Sequence, residues 1–341
     1  VTSPHPPVEL VTIGHAIVDV LGTCDDAFLD HHSLAKGIME LVDSERAVPL
    51  YEDMVVHAAA RQDGLLQMSG GSAANTGVVA AMLGARSAFL GKVRADELGH
   101  VFAEDIRSVG VDFDVAFADG VSDPTGRCLI NVTPDAERTM CTYLGAARGL
   151  RVPDMVAAAP HLRSARVTYL EGYLWDELQA RAALEHAIEV VHAAGNWFSL
   201  SLADPFCVER FRAEWLELIP SSVDVLFGNE LELMSLFETT DLERALHHVQ
   251  EMVSVAAITQ GAKGCWVVAE GLVTEVPAFP VPHVVDTTGA GDAFAGGFLY
   301  GLVRDLDLVR CAELGSLAAA EVISHLGARP GPRLRDLAHT T

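Results

Sequence analysis

Asp286-Thr287-Thr288-Gly289-Ala290-Gly291-Asp292-Ala293-Phe294-Ala295-Gly296-Gly297-Phe298 sets two carboxylates, two small hydroxyls and a glycine turn against the start of a helical pattern. After Asp292 the apolar residues Phe294, Phe298, Leu299 and Leu302 keep helical spacing with small residues between them, which predicts a closely packed inner helix. Gly289, Ala290 and Gly291 then lie at a helix N-terminus. Unpaired N–H groups and the positive dipole end there attract an anion such as a transferring phosphoryl group. Asp292 is positioned to take the proton of an attacking hydroxyl, and the dipole is expected to lower its pKa. Two other glycine motifs are excluded. The dinucleotide pattern fails because Phe294 stands at its third glycine, and a phosphate loop at Gly91-Lys92 fails because Arg86 stands at its first.

Working outward, the chain alternates apolar runs with helical patterns, as a doubly wound α/β fold does. Strands are expected at Leu10 to Ile13, Ser87 to Leu90, Arg166 to Leu170, Trp197 to Leu202, Val223 to Phe227 and Ser254 to Thr259, forming a mostly parallel sheet. Helices are expected at Ala73 to Met82, Leu98 to Val109, Leu178 to Ala194, Glu230 to Leu236 and Asp241 to Met252. Two segments break the alternation, about Val20 to Pro49 and Val121 to Leu144. The second reads as a hairpin turning at Pro134-Asp135. If it alternates about that turn, Leu129, Asn131, Arg138 and Met140 share a face, and Cys128 and Cys141 are symmetric about the turn.

Composition bounds the function. A length of 341 residues, half of them hydrophobic, suits one large core with an accessory lid, and no apolar run reaches the ~20 residues of a membrane span. The opening Val-Thr-Ser-Pro-His-Pro-Pro lacks a basic region followed by an apolar core and reads as a tail rather than a signal peptide. Six cysteines without C-x-x-C or metal spacing predict reduced thiols and a cytoplasmic enzyme without zinc. A net charge of −24, from 47 acidic against 23 basic residues, disfavours nucleic acid and anionic membranes as partners and weighs against a substrate that already carries phosphate. A monomer or homodimer acting on small molecules is expected.

The opening stretch resembles the C-terminal signature of the ribokinase-like (PfkB) family of carbohydrate and nucleoside kinases. The family's other motifs occur in order. Gly70-Gly71-Ser72-Ala73-Ala74-Asn75 resembles its N-terminal signature, Gly91 to Gly99 the segment that follows, Asn229-Glu230-Leu231-Glu232 its N-x-x-E, and Thr259 to Gly264 its nucleotide-binding turn. The resemblance runs from about Val11 to about Gly331. It implies a single kinase domain over 1–341 whose lid is a small β-sheet built from about 20–49 and 121–144. ATP is the expected donor, with Mg²⁺ organised through water by Asn229 and Glu232. Thr259, Gly261 and Gly264 would form the nucleotide turn, and Ser316 would border the adenine. A monovalent cation, potassium, would be held by the Asp286 carboxylate and the Thr288 carbonyl, with Val322, His325, Gly327 and Gly331 supplying further ligands mostly through backbone oxygens, although Gly331 stands where a hydroxyl is common.

On the acceptor side the resemblance assigns Asp19, Gly71, Ser72, Asn75 and Glu171. A carboxylate and an amide suit vicinal sugar hydroxyls, and Glu171 lies at the carboxyl edge where such sheets bind ligands. Gly14 to Asp19, Asp26 to Leu34, and Thr125-Gly126 with Arg138-Thr139-Met140 resemble the adenosine kinase branch. Tyr173 adds an aromatic for a base pocket, and ribokinase has a lysine where Ser72 stands. The expected reaction is phosphorylation of the 5′-hydroxyl of a purine nucleoside, adenosine foremost, with Asn131, Arg138 and Met140 contacting the base. A kinase for a simple sugar such as ribose or fructose is the alternative, and an inactive binding protein a third.

Overall fold

The computed structural model describes residues 7–62, 64–118, 123–135 and 137–340. The opening tail up to Pro6 and the start of the second lid segment at Val121 lie outside them. Fourteen strands follow in chain order: β1 (Leu10–Ile13), β2 (Ile17–Thr23), β3 (Met39–Leu41), β4 (Leu66–Gly70), β5 (Ser87–Leu90), β6 (Val111–Asp112), β7 (Gly126–Val132), β8 (Arg138–Tyr143), β9 (Val167–Glu171), β10 (Trp197–Ser201), β11 (Val225–Asn229), β12 (Val255–Thr259), β13 (Gly264–Ala269) and β14 (Leu272–Pro277).

Nine of them form one sheet in the order β14-β13-β12-β11-β10-β9-β1-β5-β6. From β12 to β6 every pairing is parallel, and β13 and β14 close one edge antiparallel. Both faces are covered, so the strands read as continuous apolar runs rather than alternating ones. Val11, Ile13, Leu170, Leu200 and Ile258 face the helices Leu178–Ala193 and Pro205–Ser222. Tyr169, Val225, Phe227 and Ala257 face the helix Ala290–Val303.

That helix lies against Ser72–Leu83, and small residues keep the two close. A Cβ on Gly296 would stand 2.6 Å from the Thr76 carbonyl oxygen and 2.7 Å from Val79 Cβ. The contact leaves no room for a methyl group.

The second sheet runs β3-β8-β7-β2-β4. It is wider than the two expected segments. Strand β2 begins at Ile17, β4 lies well beyond Pro49, and the helix Ser44–Arg61 backs the sheet through Leu50 and Met54, which pack with Val18, Val20, Leu129 and Cys141. The hairpin register also differs from the expected one. Leu129 pairs Cys141, Asn131 pairs Thr139, Ile130 pairs Met140 and Val132 pairs Arg138, so the pairing is centred on Asp135 rather than between Pro134 and Asp135. Paired residues share a face. Leu129 and Asn131 therefore point to the backing helix, while Arg138 and Met140 point the other way with Cys128 and Ile130. Cys128 and Cys141 lie on opposite faces, and all six cysteines are free.

Candidate active site

The carboxyl ends of four parallel strands deliver Glu171, Ser201, Asn229 and Thr259 to one edge of the large sheet, and the N-terminus of Ala290–Val303 comes to the same edge. Gly289 is its N-cap with φ +77°, a left-handed conformation that glycine adopts without strain. The Ala290 N–H turns back to the Thr287 carbonyl at 3.2 Å, so Gly289 and Gly291 carry the turn's open amide donors. A Cβ on Gly291 would point into open space. Gly289, Gly291 and Asp292 line a single cleft of about 270 Å³ with Ser72, Tyr173, Ser201, Ala203, Phe227, Asn229, Glu232, Thr259 and Phe294. The amides of Gly289 and Gly291, the Asp292 carboxylate and three of the expected nucleotide residues, Asn229, Glu232 and Thr259, therefore share one space.

Asp292 is held from the facing helix. Ser72 Oγ donates to its Oδ1 at 2.6 Å and Asn75 Nδ2 to its Oδ2 at 3.0 Å. Burial pushes its pKa up to about 7, against the pull of those two donors and with help from the negative charges of Glu171 and Asp19. The sequence-based expectation of a lowered pKa is thus overturned: desolvation outweighs the dipole. A carboxyl group poised near neutrality can both accept and return a proton. Ser72 and Asn75, expected on the acceptor, spend a donor each on Asp292; Asn75 Oδ1 is buried with no partner and remains available to accept a bond.

Asp19 comes from β2, facing the site. No described residue donates a hydrogen bond to its carboxylate, and burial raises its pKa to about 6 in spite of the charges of Arg329 and Arg138. Gly70 and Gly71 carry the chain from β4 past it into the helix Ser72–Leu83, with Gly71 as N-cap. Glu171 does not reach the acceptor space. Its Oε1 accepts the backbone N–H and Nδ1 of His15 at 2.7 Å each, and its Oε2 accepts the Ala73 N–H at 2.8 Å. It is 1% exposed and pins β1, β9 and the helix start together.

Asn229 and Glu232 form a reciprocal cap. Asn229 Oδ1 accepts the N–H groups of Leu231 and Glu232, while the Glu232 carboxylate accepts the Asn229 N–H at 2.9 Å and Nδ2 at 2.6 Å. Burial raises the Glu232 pKa to about 7. An oxygen ligand this desolvated gains by meeting a cation, so the pair fits a hydrated divalent metal on a nucleotide phosphate. Thr259 lines the cleft, with Gly261 and Gly264 in the β12–β13 turn at φ +58° and +115°. Ser316 is already engaged: its Oγ accepts the Phe279 N–H at 2.7 Å, which fastens the loop after β14.

The carboxylate expected to anchor a monovalent cation is already occupied by the chain's own donors. Asp286 Oδ1 accepts the N–H and hydroxyl of Thr288 at 3.0 and 2.7 Å, and Oδ2 accepts the Gly327 N–H at 2.9 Å and pairs with Arg138 Nη1 at 2.6 Å. Burial alone would raise its pKa; these donors and the guanidinium hold it below the usual value. The Val322 carbonyl accepts the His325 N–H, and Gly331 donates to Glu321, whose carboxylate also takes His325 Nε2 at 3.3 Å. These residues do not fit a cation at Asp286. Arg138 was expected at the base and stands instead at the anion-binding turn, with Nε and Nη2 buried and unpartnered. Asn131, on the backing-helix face and 1% exposed, is removed from the acceptor. Sequence reasoning missed Arg329, whose charge reaches Asp19 and whose guanidinium binds Ser69 and Asp105; a lone arginine in a loop carries no spacing signal.

An anion-binding helix start beside a carboxylate of near-neutral pKa, at the carboxyl edge of a doubly wound sheet, defines a phosphotransferase with an alcohol group as acceptor. The profile of the pfkB family carbohydrate kinases matches residues 47–334, and the chain belongs to that family. Membership implies ATP and a divalent metal. The adenosine kinase of Sinorhizobium meliloti superposes with a TM-score of 0.86 at 42% identity, covering 98% of this chain and 99% of that one. A probable sugar kinase protein from Rhizobium etli CFN 42 gives 0.86 at 41% identity, covering 98% of both chains. Adenosine kinase 2 of Arabidopsis thaliana is 28% identical over 93% of this chain and 94% of its own length. Among the described residues no helix is long and apolar enough to cross a membrane.

Proposed function

We propose that the protein transfers the γ-phosphoryl group of ATP to the 5′-hydroxyl of a purine nucleoside, adenosine foremost. The observation that carries this reading is the face of the lid turned to Asp19 and Asp292. Cys128, Ile130 and Met140 make it apolar, with Arg138 at its rim, which suits a flat base above a ribose gripped by Asp19 and Asn75. The likeness to the S. meliloti adenosine kinase supports it.

In this reading Asp292, held by Ser72 and Asn75, receives the proton of the 5′-hydroxyl as the bond to phosphorus forms. The amides of Gly289 and Gly291 and the spare donors of Arg138 meet the charge on the transferring group. Magnesium, when bound, neutralises phosphate charge, and Glu232 with Asn229 would hold it through water. Tyr173 and Thr259 line the cleft beside Gly289, Gly291 and Asp292, so in this reading they would border the donor phosphates rather than the base.

A sugar acceptor is the second reading, favoured by the likeness to the R. etli probable sugar kinase. An ADP-release screen with adenosine, inosine, guanosine, cytidine, ribose and fructose separates them. Stacking and placed hydrogen bonds to the base are worth several kcal/mol, so ribose should fall below adenosine by about 10² or more in kcat/KM. Ribose or fructose turning over as efficiently as any nucleoside would transfer the assignment to sugars.

A further inference from the structure

Asp286 is the carboxylate that the family resemblance would give to potassium, and its own chain has filled it. A carboxylate offers about four lone-pair positions. Here Thr288 N and Oγ1 take two on Oδ1, and Gly327 N and Arg138 Nη1 take two on Oδ2. Arg138 and Asp286 side chains are each only 10% exposed, so the pair is shielded from water and salt. A metal cation added to Oδ2 would meet a guanidinium 2.6 Å from the same atom. Two of the surrounding carbonyls are engaged as well: Val322 takes the His325 N–H at 3.4 Å and Gly331 takes the Leu334 N–H at 3.2 Å, and Gly331 has no side-chain oxygen to offer.

We infer that Arg138 supplies, from the lid, the positive charge that a monovalent cation would otherwise supply at Asp286, so that the anion-binding turn is set without potassium and by the position of the lid. Asp286 fixes the turn directly, since Thr288 immediately precedes the Gly289 cap. Potassium would reach such a carboxylate from solution whatever the lid is doing. Arg138 sits on β8 and can reach it only when the small sheet lies over the site. Arg138 is then a positioning residue for Gly289 and Gly291, besides any contact of its free Nε and Nη2 with phosphate. The inference rests on the kinase reading for its meaning but not for its test.

The test replaces potassium by choline at constant ionic strength in the full chain and follows three quantities: thermal midpoint, ²⁰⁵Tl⁺ binding by NMR, and turnover of adenosine with product measured directly by chromatography. The wild type should show the same midpoint and the same kcat/KM in both salts and no saturable thallium site. R138Q should lose turnover and become responsive, its midpoint rising with potassium and thallium binding saturably; R138K, which keeps the charge, should stay unresponsive. A wild type that is stabilised or activated by potassium over choline, or that binds thallium saturably, overturns the inference. So does an R138Q protein indifferent to potassium in both midpoint and thallium binding. Should R138Q not fold in choline, its recovery of a cooperative transition in potassium is the expected result and failure in both salts the contrary one. Absence of phosphorylation with every acceptor would defeat the kinase reading and leave the midpoint and thallium results standing.

Discussion

Asp292 shows how one residue's environment decides its chemistry. Because burial raises its pKa to about 7, kcat/KM should rise with pH through an acidic limb near that value as the carboxylate ionises, and Asp292→Asn should lower kcat by about 10² to 10⁴ with KM little changed. A variant keeping most of its activity would remove Asp292 from the reaction. The same shift has a stability sign. The folded pKa lies above the ordinary carboxylate value, so the native state holds the proton more tightly and stability falls as pH rises from about 4 to about 7. Asparagine removes that loss, and the melting temperature of Asp292→Asn relative to wild type should climb across that window. Asp19→Ala should raise the KM of the acceptor far more than that of ATP, because Asp19 lies on β2 of the small sheet and outside the cleft lined by Asn229, Glu232 and Thr259. Equal effects on both substrates would place it wrongly.

Elements differ in how openly the sequence declares them. Six of the nine strands of the large sheet, β1, β5, β9, β10, β11 and β12, are legible to within two residues because they are covered on both faces and read as apolar runs, whereas the edge strands β6, β13 and β14 are not among the expected ones. Strand β4, Leu-Gln-Met-Ser-Gly, alternates over only four residues, and with Leu66 exposed and Ser69 buried its pattern does not announce the buried face. Its place comes from pairing with β2, a contact no local pattern encodes. The hairpin of β7 and β8 differs for a sharper reason: moving the centre of the turn by half a residue slips the register by one residue and reverses the face of an entire strand. Asn229 and Glu232 were legible because a cap with a three-residue spacing is a local device. Glu171 and Ser316 were not, since their partners at His15, Ala73 and Phe279 are distant in sequence. The register has a direct consequence. Leu129→Ala, fully buried against the backing helix, should cost about 2–5 kcal/mol of stability, whereas Met140→Ala should chiefly raise the KM of the nucleoside. Denaturant titration with acceptor kinetics on the two variants checks this, and a larger KM effect from Leu129→Ala would reverse the faces.

On the scale of the whole molecule, the net charge of −24 opposes the approach of an anionic nucleotide, and the local amides and Arg138 act only at short range. Screening should therefore help. The kcat/KM for Mg-ATP should increase as sodium chloride is raised from about 0.01 to about 0.15 M, while that for an uncharged acceptor at saturating ATP stays flat. A fall for both substrates would mean that local positive charge governs encounter.

The seam between Ser72–Leu83 and Ala290–Val303 carries the Asp292 carboxylate on one side and Ser72 and Asn75, the two side chains that hold it, on the other. Gly296 stands where a methyl group would strike the Thr76 carbonyl and Val79. The thickness of that seam is consequently a gauge for the reaction centre, much as a shim sets the gap of a mechanism. One carbon inserted four residues along the helix from the carboxylate, at a position that never sees substrate, would widen the gap and slacken both hydrogen bonds at once. Inherited variation there would be read as a catalytic lesion by an assay and as a bland interior change by inspection.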